Sequence, residues 1–156
     1  VSSFVVVNDM AIIPYGRGDR LTGIELNGKG EVTNTHRKWT LDGKGSFVPS
    51  PATYEGKVYI VRDRGEVLCI NTEDGKVEWT GAFPKNRASF YSSPSIANGK
   101  IYAAREDGVL FVADISDGFK LLTENDMGER IIASPVPVNG SLLIRGEKNL
   151  FCFRAK

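Results

Sequence analysis

The sequence contains very few of the side chains on which catalytic and metal centres are commonly built. Its 156 residues include one histidine and two cysteines, so a histidine-based catalytic cluster or a cysteine-rich zinc site is nearly excluded. No apolar run approaches the roughly 20 residues that span a bilayer. Charge is balanced, with 20 Lys and Arg against 19 Asp and Glu. We therefore expect no transmembrane segment and no nucleic-acid partner, since the latter needs a strongly basic surface.

Turn-forming residues, in contrast, are abundant. The chain has 17 glycines and 7 prolines, and 41% of its residues are hydrophobic, which is enough to build a core. No segment shows a sustained 3.6-residue apolar period, so helices should be few. The composition therefore favours short strands joined by many sharp turns.

A pattern of about 40 residues recurs along the chain. A Ser-Pro dipeptide, followed five residues later by glycine, begins at Ser50, Ser93 and Ser134, with a degenerate first copy at Ser3. The anchors at positions 4, 51, 94 and 135 are 47, 43 and 41 residues apart, a period typical of blade or solenoid architectures. We interpret residues 1–156 as one partial domain, with repeats at approximately 1–46, 47–89, 90–130 and 131–156. The last repeat is incomplete.

Each complete repeat predicts four short antiparallel strands. Asn98-Gly99 and Asn139-Gly140 are strong hairpin signals, because both central residues of a type I′ turn need positive φ. Further turns follow at 63–65 and 73–75, between apolar runs such as 67–70. Four-stranded units with this period predict an all-β fold, a β-propeller of about four blades. A β-sandwich would explain the turns but not the repeats in matching register.

One segment of the second repeat carries a family resemblance. Its residues 71–79 read Asn-Thr-Glu-Asp-Gly-Lys-Val-Glu-Trp. This resembles the repeat of pyrroloquinoline-quinone (PQQ) dehydrogenase-type propellers, roughly Ala-x-Asp-x-x-Thr-Gly-Lys-x-x-Trp, with Gly75, Lys76 and Trp79 matching. In the third repeat Gly118 matches, and by counting Leu122 replaces the tryptophan. The resemblance covers essentially the whole chain.

The resemblance implies a larger ring than four repeats can supply. Propellers of this family usually have seven or eight blades, so four repeats are about half of a ring. We expect either that the chain is the C-terminal part of a longer one, lacking an N-terminal half, or that two copies self-associate through open blade edges. In the family, tryptophan locks one blade to the next, which implies this structural role for Trp39 and Trp79. The resemblance also implies a periplasmic or otherwise extracytoplasmic location.

Two functions are compatible with this family. The first is a non-catalytic binding or interaction scaffold, which we favour because no catalytic constellation or cofactor site is evident in the segment. The alternative is a fragment of a PQQ-dependent alcohol or sugar dehydrogenase whose cofactor ligands lie in the missing part. Only that alternative implies PQQ and calcium as cofactors. In the family a vicinal disulfide often stacks on the quinone, and this sequence has no Cys-Cys pair.

Arginines recur where the repeats place their second turn. Arg62 and Arg105 occupy the same repeat position, and Arg145 is close to it. In this topology the second turns and the blade-to-blade connections line one face, where arginines with interleaved aromatic rings would bind a small anionic ligand or an acidic segment of a protein partner. The alternative is that these are solvated turn charges, balanced by nearby carboxylates. The candidate residues of this face are Arg17, Arg20, Arg62, Arg64, Arg87, Tyr91, Arg105 and Arg145.

The two cysteines occupy equivalent strand positions in the second and fourth repeats. Blades that are not adjacent should hold Cys69 and Cys152 too far apart to form a disulfide. We expect both to be small buried hydrophobic residues.

Overall fold

The computed structural model describes residues 2–15, 17 and 20–154. Every regular element in this part of the chain is a β-strand. In chain order the strands are β1 (Val5–Val7), β2 (Met10–Tyr15), β3 (Arg20–Glu25), β4 (Arg37–Asp42), β5 (Ala52–Tyr54), β6 (Lys57–Val61), β7 (Glu66–Asn71), β8 (Val77–Ala82), β9 (Ser95–Ala97), β10 (Lys100–Ala104), β11 (Val109–Asp114), β12 (Lys120–Asp126), β13 (Val136–Val138), β14 (Ser141–Arg145) and β15 (Leu150–Arg154).

The strands form four antiparallel sheets, each built from consecutive strands. Strands β1 to β4 form blade 1, β5 to β8 blade 2, β9 to β12 blade 3, and β13 to β15 blade 4. The first strand of each blade contacts the first strand of the next, so these short strands lie innermost. The expected all-β arrangement of about four blades, with four-stranded antiparallel complete blades, is confirmed.

Tight hairpins join the first two strands of every blade. The turn residues Asn98 and Gly99 have φ angles of 49° and 66°, and Asn139 and Gly140 have 48° and 71°. Positive φ at both central positions is the type I′ geometry, which matches the twist of the flanking strands. Asparagine and glycine tolerate this conformation better than other residues, and for this reason the sequence signal located these turns correctly.

The hydrophobic core lies between neighbouring blades. One cluster joins Ile12 of blade 1 to Ile60 of blade 2, and the largest joins Cys69 of blade 2 to Phe111 of blade 3. A smaller cluster joins blades 3 and 4. Because strand residues alternate in direction, each blade presents one apolar face to the preceding blade and one to the following blade.

Serines of the repeated Ser-Pro dipeptide link the blades through a series of hydrogen bonds. The backbone N–H of Ser3 donates to Oγ of Ser50 at 2.9 Å, and that of Ser50 donates to Oγ of Ser93 at 2.9 Å. The N–H of Ser93 donates to Oγ of Ser134 at 3.1 Å. At each of these three junctions the earlier serine therefore provides the backbone donor and the later serine the hydroxyl acceptor. We call this series the seryl ladder.

Each complete blade has a β-bulge between its third and fourth strands. In blade 2 the pairing jumps from Cys69–Trp79 to Ile70–Val77, so Glu78 is the extra residue. In blade 3 the equivalent jump leaves Leu122 unpaired, and Thr123 lies at the position that Trp79 has in blade 2. Counting from the turn glycine placed Leu122 there, and this was wrong because the third turn of blade 3 holds one more residue.

One face of blade 4 is uncovered within the described residues. Leu150 is 65% exposed, and Val136 and Val138 beside it are also exposed. Cys152 lies on this face and is exposed, so the expectation that both cysteines are buried was wrong for Cys152. The equivalent Cys69 is buried because blade 3 covers it. No helix in the described residues is long and apolar enough to cross a membrane.

Candidate functional site

The connections between blades and the second turns of the blades meet at one end of the molecule. We call this end the connection face; it comprises the connections 43–51, 83–94 and 127–135, the turns 62–65, 105–108 and 146–149, and Tyr15, Arg17 and Arg20 of blade 1. Backbone hydrogen bonds join the two kinds of segment, for example from Glu106 N–H to Ser89 O at 3.0 Å and from Glu147 N–H to Arg130 O at 2.9 Å. The structure therefore brings the predicted site residues to a common end.

Carboxylates on the connection face are occupied by backbone donors. Asp63 accepts the N–H groups of Phe47 and Val48 at 2.9 and 3.1 Å. Glu129 accepts those of Lys148 and Asn149 at 3.0 and 2.9 Å. A carboxylate that fastens a loop in this way keeps its charge, but its oxygens are already engaged as hydrogen-bond acceptors within the fold.

Arg105 is buried beneath this face. Its residue is 6% exposed, and two of its guanidinium nitrogens donate to both carboxylate oxygens of Asp107 at 2.9 and 3.0 Å. A third nitrogen donates to Pro84 O at 3.0 Å, and the guanidinium lies 4.9 Å from the ring centroid of Phe111. These contacts fasten the connection between blades 2 and 3 to the second turn of blade 3.

Arg62 has a related but more exposed position. It donates to Gly45 O at 3.1 Å and to Glu66 Oε2 at 2.6 Å, with a third of its side chain accessible. Like Arg105, it holds the connection that precedes its blade. At this shared repeat position both arginines therefore donate a hydrogen bond to a backbone carbonyl of the preceding connection.

The remaining candidates of the connection face are exposed. Arg64 donates to the backbone carbonyl of Arg87 at 2.7 Å, which places the Arg64 guanidinium against the connection between blades 2 and 3. The guanidinium of Arg17 lies 5.6 Å from the ring centroid of Phe47, whose ring is partly accessible. Arg20 pairs with Asp42 at 3.0 Å, in an ion pair that is accessible to solvent. Tyr91 and Arg145 are exposed and belong to none of these three pairs.

Sequence reasoning missed two residues of this face. Arg130 and Ile132, from the connection between blades 3 and 4, line a small cavity of about 290 Å³ together with Arg145. Ile132 is 57% exposed, and Arg130 contacts Glu106 at 3.4 Å. Both residues could have been predicted, because this connection is equivalent to the one that carries Arg87 and Tyr91.

Trp39 packs between two glycines at the junction of blades 1 and 2. Its ring contacts Gly23 of its own blade, and a Cβ added at Gly75 of the next blade would lie 2.6 Å from the ring. Its Nε1 donates to Thr72 O at 2.8 Å. The indole ring is buried against the backbone of two glycines, and its one polar group has a hydrogen-bond acceptor. Trp39 therefore joins the two blades by both packing and hydrogen bonding.

The repeat pattern and the fold identify the family. Residues 19–155 match the sequence profile of the family described as outer membrane protein assembly factor BamB. The chain belongs to this family. No curated protein matches the sequence of this BamB-family chain at a significant level.

Solved structures share the fold of this BamB-family chain at low sequence identity. BamB from Moraxella catarrhalis is 14% identical with a TM-score of 0.74, over 97% of this chain and 44% of that one. The computationally designed Ika4 protein is 12% identical with a TM-score of 0.75, over 99% and 92% of the two chains. Quinohemoprotein alcohol dehydrogenase from Comamonas testosteroni is 17% identical with a TM-score of 0.61, over 80% and 20%. The chain thus spans less than half of the BamB structure.

The described residues of this BamB-family chain hold no group of three or more His, Cys, Asp or Glu side chains positioned for a metal ion. Burial raises the pKa of the Cys69 thiol, which lies beside Tyr59 and Glu78. A thiol with a raised pKa is a poor nucleophile at neutral pH.

Proposed function

We propose that this chain is a non-catalytic interaction scaffold whose connection face binds an acidic segment of a partner protein. The observation that carries the proposal is that four arginines of this face are exposed, while two of its carboxylates already accept hydrogen bonds from the backbone. Arg17, Arg64, Arg87 and Arg145 are exposed, whereas Asp63 and Glu129 are engaged by backbone N–H groups. Guanidinium groups recognise carboxylates through paired hydrogen bonds, and exposed aromatic rings are enriched at protein interfaces.

Membership of the family supports a role in protein interaction, because the family description names an assembly factor of outer membrane proteins. It also supports a periplasmic or otherwise extracytoplasmic location for the protein. A small anionic ligand is the alternative occupant of the connection face, since the same guanidinium chemistry would bind it.

Reversing charge on the connection face should abolish most of the binding. We expect the double variant Arg64→Glu, Arg87→Glu to bind a fluorescein-labelled peptide of alternating glutamate and tyrosine about tenfold more weakly than the unsubstituted chain. The physical reason is that two attractive contacts become repulsive. Fluorescence anisotropy at two salt concentrations measures the affinity, which should fall as salt rises because the face is exposed.

The matched control changes the same charge at the other end of the molecule. Lys29 and Lys76 are exposed on the loops that join third and fourth strands, so Lys29→Glu, Lys76→Glu should leave the affinity unchanged. Equal losses in the two double variants, or no loss in the first, would contradict the proposal. If millimolar citrate displaces the labelled peptide and unlabelled acidic peptides of greater length do not, the result would favour the small anionic ligand instead.

We also propose that two copies of this chain associate head to tail through their open blade faces. Blade 2 packs against blade 3 with the face that carries Tyr59 and Cys69. The same register positions in blade 4 are occupied by Leu143 and Cys152. The face of blade 2 that receives blade 1 carries Ile60, Leu68 and Ile70, whose counterparts in blade 1 are Ile13, Thr22 and Ile24. The two open faces are therefore counterparts of a junction that the chain already forms.

The seryl ladder supports the same direction of association. Its internal steps run from the N–H of one serine to the hydroxyl of the next, as between Ser50 and Ser93. Continued across a contact between copies, the N–H of Ser134 would donate to Oγ of Ser3 in the second copy. Two such contacts close a ring of eight blades, because a head-to-tail interface repeated by a two-fold axis is closed.

Solution mass tests this association. Analytical ultracentrifugation of the 156-residue chain should give twice the 17.1 kDa of one copy, and Leu150→Glu should restore 17.1 kDa by placing a charge in the junction. Leu122→Glu is the matched control, because this exposed leucine lies at the bulge of β12, away from both open faces. A mass of one copy at micromolar concentration, or dissociation by both substitutions alike, would exclude a second copy as the partner of the open faces. The remainder of a longer polypeptide would then be the expected partner.

A further inference from the structure

The junction of blades 2 and 3 departs from the tryptophan packing seen at the preceding junction. Trp79 is partly exposed, although it has the same register position as the buried Trp39. A Cβ added at Gly118, the counterpart of Gly75, would meet nothing within 4 Å. The tryptophan of blade 2 therefore does not lie on the turn glycine of the following blade.

The longer third turn of blade 3 is the physical cause of this difference. Its additional residue brings the ring of Phe119 against Gly81, into contact that a Cβ at that glycine would prevent. The centroid of the Phe119 ring lies 6.4 Å from that of the Trp79 ring. The space between Trp79 and the turn that carries Gly118 remains open, as a cavity of about 370 Å³.

Aromatic rings form the walls of this cavity. The rings of Tyr59 and Trp79 lie 5.9 Å apart at an interplanar angle of 55°, so they enclose a corner rather than stack. Tyr54 adds a third ring at the lining. Tyr59 is only 4% exposed, so the accessible ring surface at the lining comes from Trp79 and Tyr54, which are both half-buried. An aromatic ring attracts a cation through its quadrupole, and attracts it more strongly when the cation is shielded from water.

The charges that line the cavity are predominantly negative. Carboxylates come from Glu55 and Glu78 of blade 2 and from Asp117 of blade 3. Lys57 is the one cationic side chain of the lining, and its ammonium group contacts Glu78 at 2.5 Å. That hydrogen bond raises the pKa of Lys57, so the lysine stays paired. A surplus of two carboxylates remains to attract positive charge.

We propose that this cavity between blades 2 and 3 binds an organic cation, an alkylammonium or guanidinium group, held between the accessible rings of Trp79 and Tyr54 and the carboxylates of Glu55 and Asp117. The cavity lies at the end of the blades opposite the connection face, so this site is independent of the function proposed above. A cation of this kind can belong to a small metabolite or to a lysine or arginine side chain of a partner. Both sources share the chemistry that the cavity recognises.

Paired ligands of equal shape and different charge test the proposal. Choline and 3,3-dimethylbutan-1-ol differ only in the charge at the quaternary centre, and arginine and citrulline form a second pair. Trp79 lines the cavity while Trp39 is shielded, so a saturable change in tryptophan fluorescence reports the site. We expect saturation with choline or arginine and none with the neutral partner. A short peptide with a central arginine, titrated in the same way, distinguishes a side-chain source from a free metabolite.

Substitutions of the carboxylates identify the site. Asp117→Asn together with Glu55→Gln should weaken binding of the cation by about tenfold or more, because two of the attractive charges are removed. Glu73→Gln is the matched control, since this exposed carboxylate of the adjacent turn is outside the cavity, and it should bind as the unsubstituted chain does. Circular dichroism confirms that the variants are folded. Absence of saturation with both cations, or equal response to the neutral ligands, would overturn the proposal.

Discussion

Replacing Trp39 with alanine is expected to lower the free energy of unfolding by about 3–5 kcal/mol. The residue is 8% exposed, and its ring fills the space between Gly23 and Gly75. The substitution also removes the hydrogen bond from Nε1 to Thr72 O, which leaves that carbonyl without its donor. Guanidinium chloride unfolding, followed by circular dichroism, measures the loss at the junction of blades 1 and 2.

Two matched controls separate the junction from general effects of substitution. Trp79→Ala should cost less than Trp39→Ala, since Trp79 is partly exposed and lies beside an open cavity. Gly75 and Gly118 have φ angles of 73° and 89°, so alanine at either position strains the backbone in the same way. Only at Gly75 would the new methyl group meet a tryptophan ring. Equal losses for Gly75→Ala and Gly118→Ala would show that Trp39 packing does not stabilise the junction.

Replacing Arg105 with methionine is expected to cost about 1–3 kcal/mol, because the buried guanidinium's hydrogen-bond partners lose their donor while the partly exposed Asp107 carboxylate can be solvated by water. Its side chain is 7% exposed, and its loss would leave Asp107 and Pro84 O without their donors. Methionine keeps much of the side-chain volume, so the loss reports the charge and the hydrogen bonds rather than a cavity. Chemical unfolding again measures the effect.

Arg105→Lys tests whether the planar guanidinium is needed. Lysine keeps the charge but cannot pair with both carboxylate oxygens of Asp107 and reach Pro84 O at once, so we expect it to recover only part of the stability. Arg64→Met is the exposed control and should change the free energy of unfolding by less than about 0.5 kcal/mol. If Arg105→Met were as mild as Arg64→Met, the connection between blades 2 and 3 would have to be fastened by other contacts.

Strand positions and hairpins could be predicted because their signals are local. The turn at Asn98 and Gly99 depends on the backbone preferences of those two residues, and the Ser-Pro repeat fixes where each blade starts. The register of Leu122 could not be obtained by counting, because one additional residue in a turn moves the following strand by one position relative to the other blades. The same additional residue places Phe119 against Gly81, so the residues around Trp79 differ from those around Trp39.

The candidate site could be predicted in its location but not in its detail. The repeat period brought the arginines of successive second turns to one end, since equivalent positions of a repeat share a face. The burial of Arg105 depends on Asp107 two residues later and on Pro84 in the preceding connection, and no repeat position encodes that combination. The exposure of Cys152 follows from the uncovered face of blade 4, which a pattern common to Cys69 and Cys152 does not distinguish.

The seryl ladder gives the assembly a polarity. Every junction joins a backbone donor on one side to a hydroxyl acceptor on the other, as between Ser93 and Ser134, so blades can be added in only one orientation. A directional contact of this kind closes when the rotation per blade divides a full turn, and otherwise continues as an open spiral. Small changes in the angle between blades would thus convert a finite ring into a growing filament. For the proposed association of copies, the curvature of each junction therefore matters as well as its strength.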